Sequence, residues 1–188
     1  MRKFSIFNYI FVLVTICAFA LTSPASPGRA TQAPSTTHII REVRHELATL
    51  PYYGVFDWLQ YQVAPDGTVT LSGQVVRPTT KSDAESRLKN IEGVTSVANN
   101  IEVLPLSPGD DRIRIAMYRA LYGWDSPLFR YATETVPSIH IVVNRGRATL
   151  KGVVASKGDA TLAYIRARGV PGVFEVTNGL QVESELPK

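Results

Sequence analysis

The sequence matches itself at a fixed offset of 79 residues, and this limits its fold more than any other feature. Residues 68–103 contain Thr70-Leu71-Ser72-Gly73-Gln74-Val75, then Gly93-Val94-Thr95-Ser96-Val97-Ala98-Asn99-Asn100-Ile101-Glu102-Val103. Residues 147–182 repeat the pattern as Thr149-Leu150-Lys151-Gly152-Val153-Val154, then Gly172-Val173-Phe174-Glu175-Val176-Thr177-Asn178-Gly179-Leu180-Gln181-Val182. Upstream, at an offset of 74, Ile39, Val43 and Leu47 match Ile113, Met117 and Leu121. The body therefore consists of two copies of one module, 38–105 and 111–184, joined by a linker at 106–110 and followed by a tail, 185–188.

Each copy has the same order of patterns. Apolar residues at Ile39, Val43, Leu47 and Leu50 have helical spacing. Two alternating strands follow, through Leu59, Tyr61, Val63 and then Val69, Leu71, Val75, with Ile139, Ile141, Val143 and Ala148, Leu150, Val154 in the second copy. Gly67 and Gly146 supply the positive φ of the hairpin turns between them. A second helix is expected to start near Ser82-Asp83-Ala84-Glu85, which has capping-box spacing, and to end near Gly93. The last strand runs from Val97 to Val103, parallel to its neighbour because a crossover helix joins the two. The fold class is α+β: two tandem αββαβ modules, each a small mixed three-stranded sheet with two helices on one face.

The N-terminus has a different composition. Arg2 and Lys3 precede an uncharged apolar run from Ile10 to Leu21, ending at Ala18-Phe19-Ala20. This is the form of a secretory signal peptide, 1–20; an uncleaved N-terminal membrane anchor is the alternative. Twelve helical residues rise about 18 Å, short of a bilayer's core of roughly 30 Å. Residues 21–37 hold Pro, Gly, Ser and Thr without Ile or Val and read as a flexible tether. Cleavage near Ala20 removes the single cysteine, Cys17, and the two leading cations, so the mature chain carries a formal +2. A disulfide framework is excluded, and nucleic-acid binding is not expected. No metal site or cofactor is expected, and with no Gly-x-Ser-x-Gly, P-loop or His-Glu-x-x-His, no catalytic residue is assigned.

The succession of helix, apolar strand, Gly turn, Val-x-Leu-x-Gly-x-Val, helix and Gly-Val-x-x-Val-x-Asn-x-Ile-x-Val resembles the BON domain, named for bacterial OsmY and nodulation proteins. Two copies behind a signal peptide resemble the dual-BON proteins of the bacterial envelope. The resemblance implies a periplasmic location, phospholipid association and a role in envelope integrity or stress tolerance, without catalysis. Its structural signature here is Gly67, Gly73, Gly93 and Asn99 in the first copy and Gly146, Gly152, Gly172 and Asn178 in the second. The two asparagines are expected to bond backbone at a strand start.

Residues 38–105 carry a net charge of −2 and residues 111–184 a net +4, so an anionic lipid surface favours the second copy. On its opening helix Ile113, Ala116, Met117, Ala120, Leu121 and Trp124 share the core face. Arg112, Arg114, Ile115, Tyr118, Arg119 and Tyr122 form the opposite face, suited to lipid headgroups, to the other module or to solvent. Leu162 and Ile165 give the later helix a second apolar face, expected to dock on the first module or a partner. The aromatic stretch with Tyr52, Tyr53, Phe56 and Trp58 is either a contact loop or the closed end of a small core. Two functions follow. One is an exported envelope protein on an anionic phospholipid surface; the other is a periplasmic chaperone or adaptor holding polypeptides through Tyr52–Trp58 and Tyr118–Tyr122, with envelope proteins as partners.

Overall fold

The Ser35 hydroxyl accepts from the His38 N–H, and this cap starts the first helix, α1 (Thr36–Ala48). The structure, a computed structural model, describes residues 35–133 and 136–185. The expected signal peptide and most of the expected linker lie outside the described residues. After α1 come β1 (Trp58–Val63), β2 (Thr68–Val75), α2 (Pro78–Lys89) and β3 (Ser96–Val103). The second module repeats this as α3 (Pro108–Tyr122), β4 (Ile139–Asn144), β5 (Arg147–Val154), α4 (Lys157–Arg168) and β6 (Glu175–Val182). It adds a 3-10 helix, Pro127–Ala132, between α3 and β4 and a short 3-10 turn, Glu183–Glu185, after β6.

The two sheets have the same topology. In the first, β1 pairs antiparallel with β2, and β2 pairs parallel with β3; β4, β5 and β6 do the same in the second. All six signature glycines have positive φ, a conformation that suits residues without Cβ. The constraint is strongest at Gly73 and Gly152. A Cβ there would lie 2.0 Å from the Trp58 carbonyl oxygen and 1.9 Å from that of Ser138. Each asparagine lies within its strand and ties it to a helix. The Asn99 amide donates to the Lys81 carbonyl and the Asn178 amide to that of Ala160, both at 3.0 Å, and each side-chain oxygen accepts from the residue two positions on. Lys81 and Ala160 are themselves 79 residues apart, so the bond is part of the repeat.

Each module buries its own core. Ile39, Val43, Leu47 and Leu50 pack on Val69, Leu71 and Val75, while Ile113, Met117 and Leu121 pack on Ile139, Ile141 and Leu150. Three boundaries differ from expectation. Helix α2 starts at Pro78, four residues before the Ser82 box, because proline suits a first helical turn where no N–H is needed. Helix α3 starts at Pro108, capped by Ser107, so most of the expected linker 106–110 is helical. Helix α3 also stops at Tyr122, which leaves Trp124 outside the core. Trp124 is 89% exposed and stacks on Phe129, while Leu128 of the 3-10 helix is fully buried in that core.

Candidate functional site

The two modules differ in what happens at the free edge of the sheet. Strand β4 is an edge strand, and unpaired backbone groups on such a strand invite pairing with other chains. In the second module three backbone groups along this edge find partners. The Tyr122 hydroxyl donates to the Ile139 carbonyl at 2.6 Å, and the Arg114 guanidinium donates to the Val143 carbonyl at 2.7 Å. Between them, the Ile141 N–H donates to the Val55 carbonyl of the first module at 2.7 Å.

This arrangement corrects the assignment of Arg114 and Tyr122 to an outward face. Arg114 is 3% exposed and Tyr122 5%, and burial raises the Tyr122 hydroxyl pKa above the ordinary phenol range. A helical wheel places these side chains opposite the core. In the structure the sheet edge lies beside the helix, and both reach sideways to it. Asp111 pairs with Arg114 from one turn away. The first module has Ile40 and Ala48 at the equivalent positions of α1, at the offset of 74, and neither can do the same.

The aromatic stretch of the first module provides the rest of the contact. Val55 and Phe56 pack against the second module's core, and the Phe56 ring meets Tyr118 edge-on at 6.3 Å. The Trp58 and Tyr53 rings lie 5.1 and 5.6 Å from His140 on β4. His140 is buried, so β4 is covered on both faces, where alternation alone leaves one face open. Asp57 locks the segment by accepting from the Gly54 and Val76 N–H groups. Tyr52 is the exception: exposed, at positive φ, with the Arg77 guanidinium over its ring. The surfaces expected to hold client polypeptides, Tyr52–Trp58 and Tyr118–Tyr122, thus largely hold each other.

Burial shifts the groups in this contact. Desolvation pushes the Tyr53 hydroxyl up to about 12 and raises the Asp57 carboxyl. It also lowers the His140 imidazole. Side-chain atoms left without partners in the protein gather here too: Trp58 Nε1, Arg114 Nε, His140 Nδ1 and Asn144 Oδ1.

What remains outward on α3 is Arg112, Ile115, Tyr118 and Arg119, with Tyr118 partly covered by Phe56. At the helix's N-terminal end a cleft of about 480 Å³ lies between Arg112, Ile113, Arg145, Pro171 and Phe174. Phe174 is 84% exposed, and Leu106, beside the cleft-lining Ser107, is 93% exposed. Among the described residues Arg112, Arg119 and Arg145 form no ion pair. Asp110, at the foot of α3, is buried and accepts from the Arg145 and Gly146 N–H groups, which fixes the hairpin turn against the helix. In the sequence Asp110 falls within the expected linker 106–110, since nothing local shows that a turn 35 residues away returns to it.

Leu162 and Ile165 do not form the module contact. Helix α4 packs on α3, β5 and β6 of its own module, with Leu162 half-buried against that core and Ile165 60% exposed. Among the described residues no group of three or more His, Cys, Asp or Glu is placed to hold a metal, and no helix is long and apolar enough to cross a membrane.

The chain was compared with known proteins. The BON domain profile matches residues 35–105 and 129–184. Helix α3 precedes the second match, yet it occupies the same place in its module as α1 does in the first. Among solved structures the chain is similar to the C-terminal domain of CdsD, titled the structural protein of the type III secretion system of Chlamydia trachomatis, at 14% identity and a TM-score of 0.29 over 79% of this chain and 98% of that one. A second structure of CdsD from that organism gives 13% identity and a TM-score of 0.29 over 78% and 94%. Comparison with curated proteins gives no match. The two profile matches together take in more than half of the sequence, and one falls within each of the two repeated modules, the second without its opening helix: the chain belongs to the BON domain family and carries two BON regions.

Proposed function

We propose that this is an exported, non-enzymatic protein of the bacterial envelope that associates with anionic phospholipid surfaces through its second module and supports envelope integrity under stress. Family membership and the signal-like N-terminus support the compartment. The observation that carries the lipid reading is the outward face of α3 together with the loops at its N-terminal end. Arg112, Arg119 and Arg145 are cations without carboxylate partners among the described residues, and Ile115, Leu106 and Phe174 are exposed apolar groups beside them. Arginine pairs with lipid phosphate, and exposed apolar tips can enter the headgroup layer.

Each cation near an anionic leaflet contributes about 1 kcal/mol, so the three together give a few kcal/mol at low salt. That energy suits reversible attachment to a surface. The net +4 of the second module against −2 for the first orients the molecule with the second module toward the lipid. Co-sedimentation of the whole exported chain with phosphatidylglycerol vesicles and with phosphatidylcholine vesicles tests the reading. Binding to the anionic vesicles alone is expected. Equal binding to both, or none to either at low salt, overturns it.

A further inference from the structure

The groove that Val55 and Phe56 fill in the second module has an open counterpart in the first. At an offset of 74 for the opening helices and 80 for the edge strands, the α3 and β4 positions Tyr118, Leu121, Tyr122, Ile139 and Ile141 correspond to Arg44, Leu47, Ala48, Leu59 and Tyr61. Those five residues, with Tyr53, line a cleft of about 160 Å³ between α1 and the edge strand β1. The register matches as well: Tyr61 stands opposite Leu71 as Ile141 stands opposite Leu150. The Ile141 N–H points away from its own sheet to reach Val55, so the equivalent Tyr61 N–H faces the same way. Among the described residues no segment pairs with the β1 edge there.

We infer that this cleft binds an extended segment of a partner polypeptide, carrying an aliphatic–aromatic pair beside a carboxylate, which adds to the free edge of β1. The protein itself supplies the precedent for the occupant. In the second module the bound segment is Gly54-Val55-Phe56-Asp57, held by one backbone bond at the edge and by an aromatic side chain against the opening helix. Pairing along an exposed sheet edge with side chains set into flanking pockets is a general mode of peptide capture. In the first module Ala48 stands where Tyr122 fills the second. Arg44 stands where Tyr118 does; it makes no ion pair among the described residues and adds a cation suited to the peptide's carboxylate. The cleft lies on α1 and β1, apart from the α3 face assigned to lipid, so the two activities fail independently.

The test uses the full exported chain and a synthetic peptide with the sequence of residues 51–60. Amide NMR shifts on titration are expected at Leu59, Tyr61, Leu47 and Ala48. The Phe56→Ala peptide is expected to bind at least tenfold more weakly. Filling the cleft with the second module's own side chains, as Arg44→Tyr with Ala48→Tyr, is expected to abolish the shifts while vesicle binding is unchanged. Both positions are exposed, and the single Ala48→Tyr variant serves as the milder check, with at least a tenfold loss expected. Shifts confined to Ile141 and Tyr118, unchanged binding by the filled variants, or a loss of vesicle binding in those variants overturns the inference.

Discussion

Ile141 donates its backbone N–H to the Val55 carbonyl at 2.7 Å, so the edge of the second sheet is completed by the first module. The bond joins residues 86 positions apart and brings the Phe56 ring against Tyr118. Truncating Phe56 to Ala removes apolar contact at the second module's core, so a loss of about 2 kcal/mol is expected. Chemical denaturation should then separate into two transitions, since each module keeps its own core. Hydrogen exchange of the Ile141 amide should quicken before that of the Leu150 amide on the neighbouring strand. A single unshifted transition would contradict the clasp.

The contact is also expected to respond to pH. His140 is buried between Tyr53 and Trp58, and desolvation lowers its pKa in the docked form. The groups facing it are Asp57 and Tyr53 from the first module and Lys151, its cross-strand partner on β5; Arg77 and Arg114 act on Asp57 from farther out. A released histidine titrates at its ordinary value of about 6.5. Docking therefore favours the neutral ring, and the interface is fully stable above about pH 6.5 and weakens as pH falls toward 5. The raised Asp57 carboxyl acts in the opposite direction, at lower pH, because its protonated form is the one docking favours. Exchange of the Ile141 amide should be faster at pH 5.5 than at pH 7.5, roughly in step with His140 protonation. In His140→Gln that difference should vanish; if it persists, another group is responsible.

Arg114 and Arg119 lie on one helix with opposite roles. Arg114→Ala strips the Val143 carbonyl of its donor in a buried setting and is expected to cost about 2–4 kcal/mol. Tyr122→Phe removes the donor to Ile139 and is expected to cost about 1–2 kcal/mol. Arg119→Ala, on the exposed side, should stay within about 0.5 kcal/mol. Urea midpoints for the three variants check the order, and equal effects would return Arg114 to the surface.

The repeat glycines carry a further expectation. Gly152→Ala and Gly73→Ala place a methyl group within 2.0 Å of a backbone oxygen at positive φ, and each should cost more than about 2 kcal/mol. Gly158→Ala, whose Cβ meets only the Ser156 hydroxyl at 3.5 Å, should be neutral or stabilise by up to about 1 kcal/mol. Thermal melts of the three proteins decide it.

The two-copy architecture was legible because period and spacing are local signals. The offset of 79 placed Gly73 with Gly152 and Asn99 with Asn178, and the structure gives each pair one role. The outward face of α3 was only half legible. A helical wheel separates core from surface, but it has no term for a sheet edge lying beside the helix, so it sets Arg114 and Tyr122 outward. The destination of Phe56 was not legible either. Its partner Tyr118 is 62 positions away, and its contact exists only once two finished modules meet. The helical pattern continues past Tyr122 to Trp124, whereas the chain turns at Gly123 and places Leu128 in the core instead.

The most direct measurement for the proposed function is vesicle co-sedimentation of paired charge-reversal variants across salt concentration. Arg112→Glu with Arg119→Glu should abolish binding to phosphatidylglycerol vesicles. Arg41→Glu with Arg44→Glu, on the corresponding face of α1, should leave it intact, and wild-type binding should collapse between low and high salt. Retained binding by the α3 variant, or a loss confined to the α1 variant, would contradict the assignment of the lipid surface to the second module.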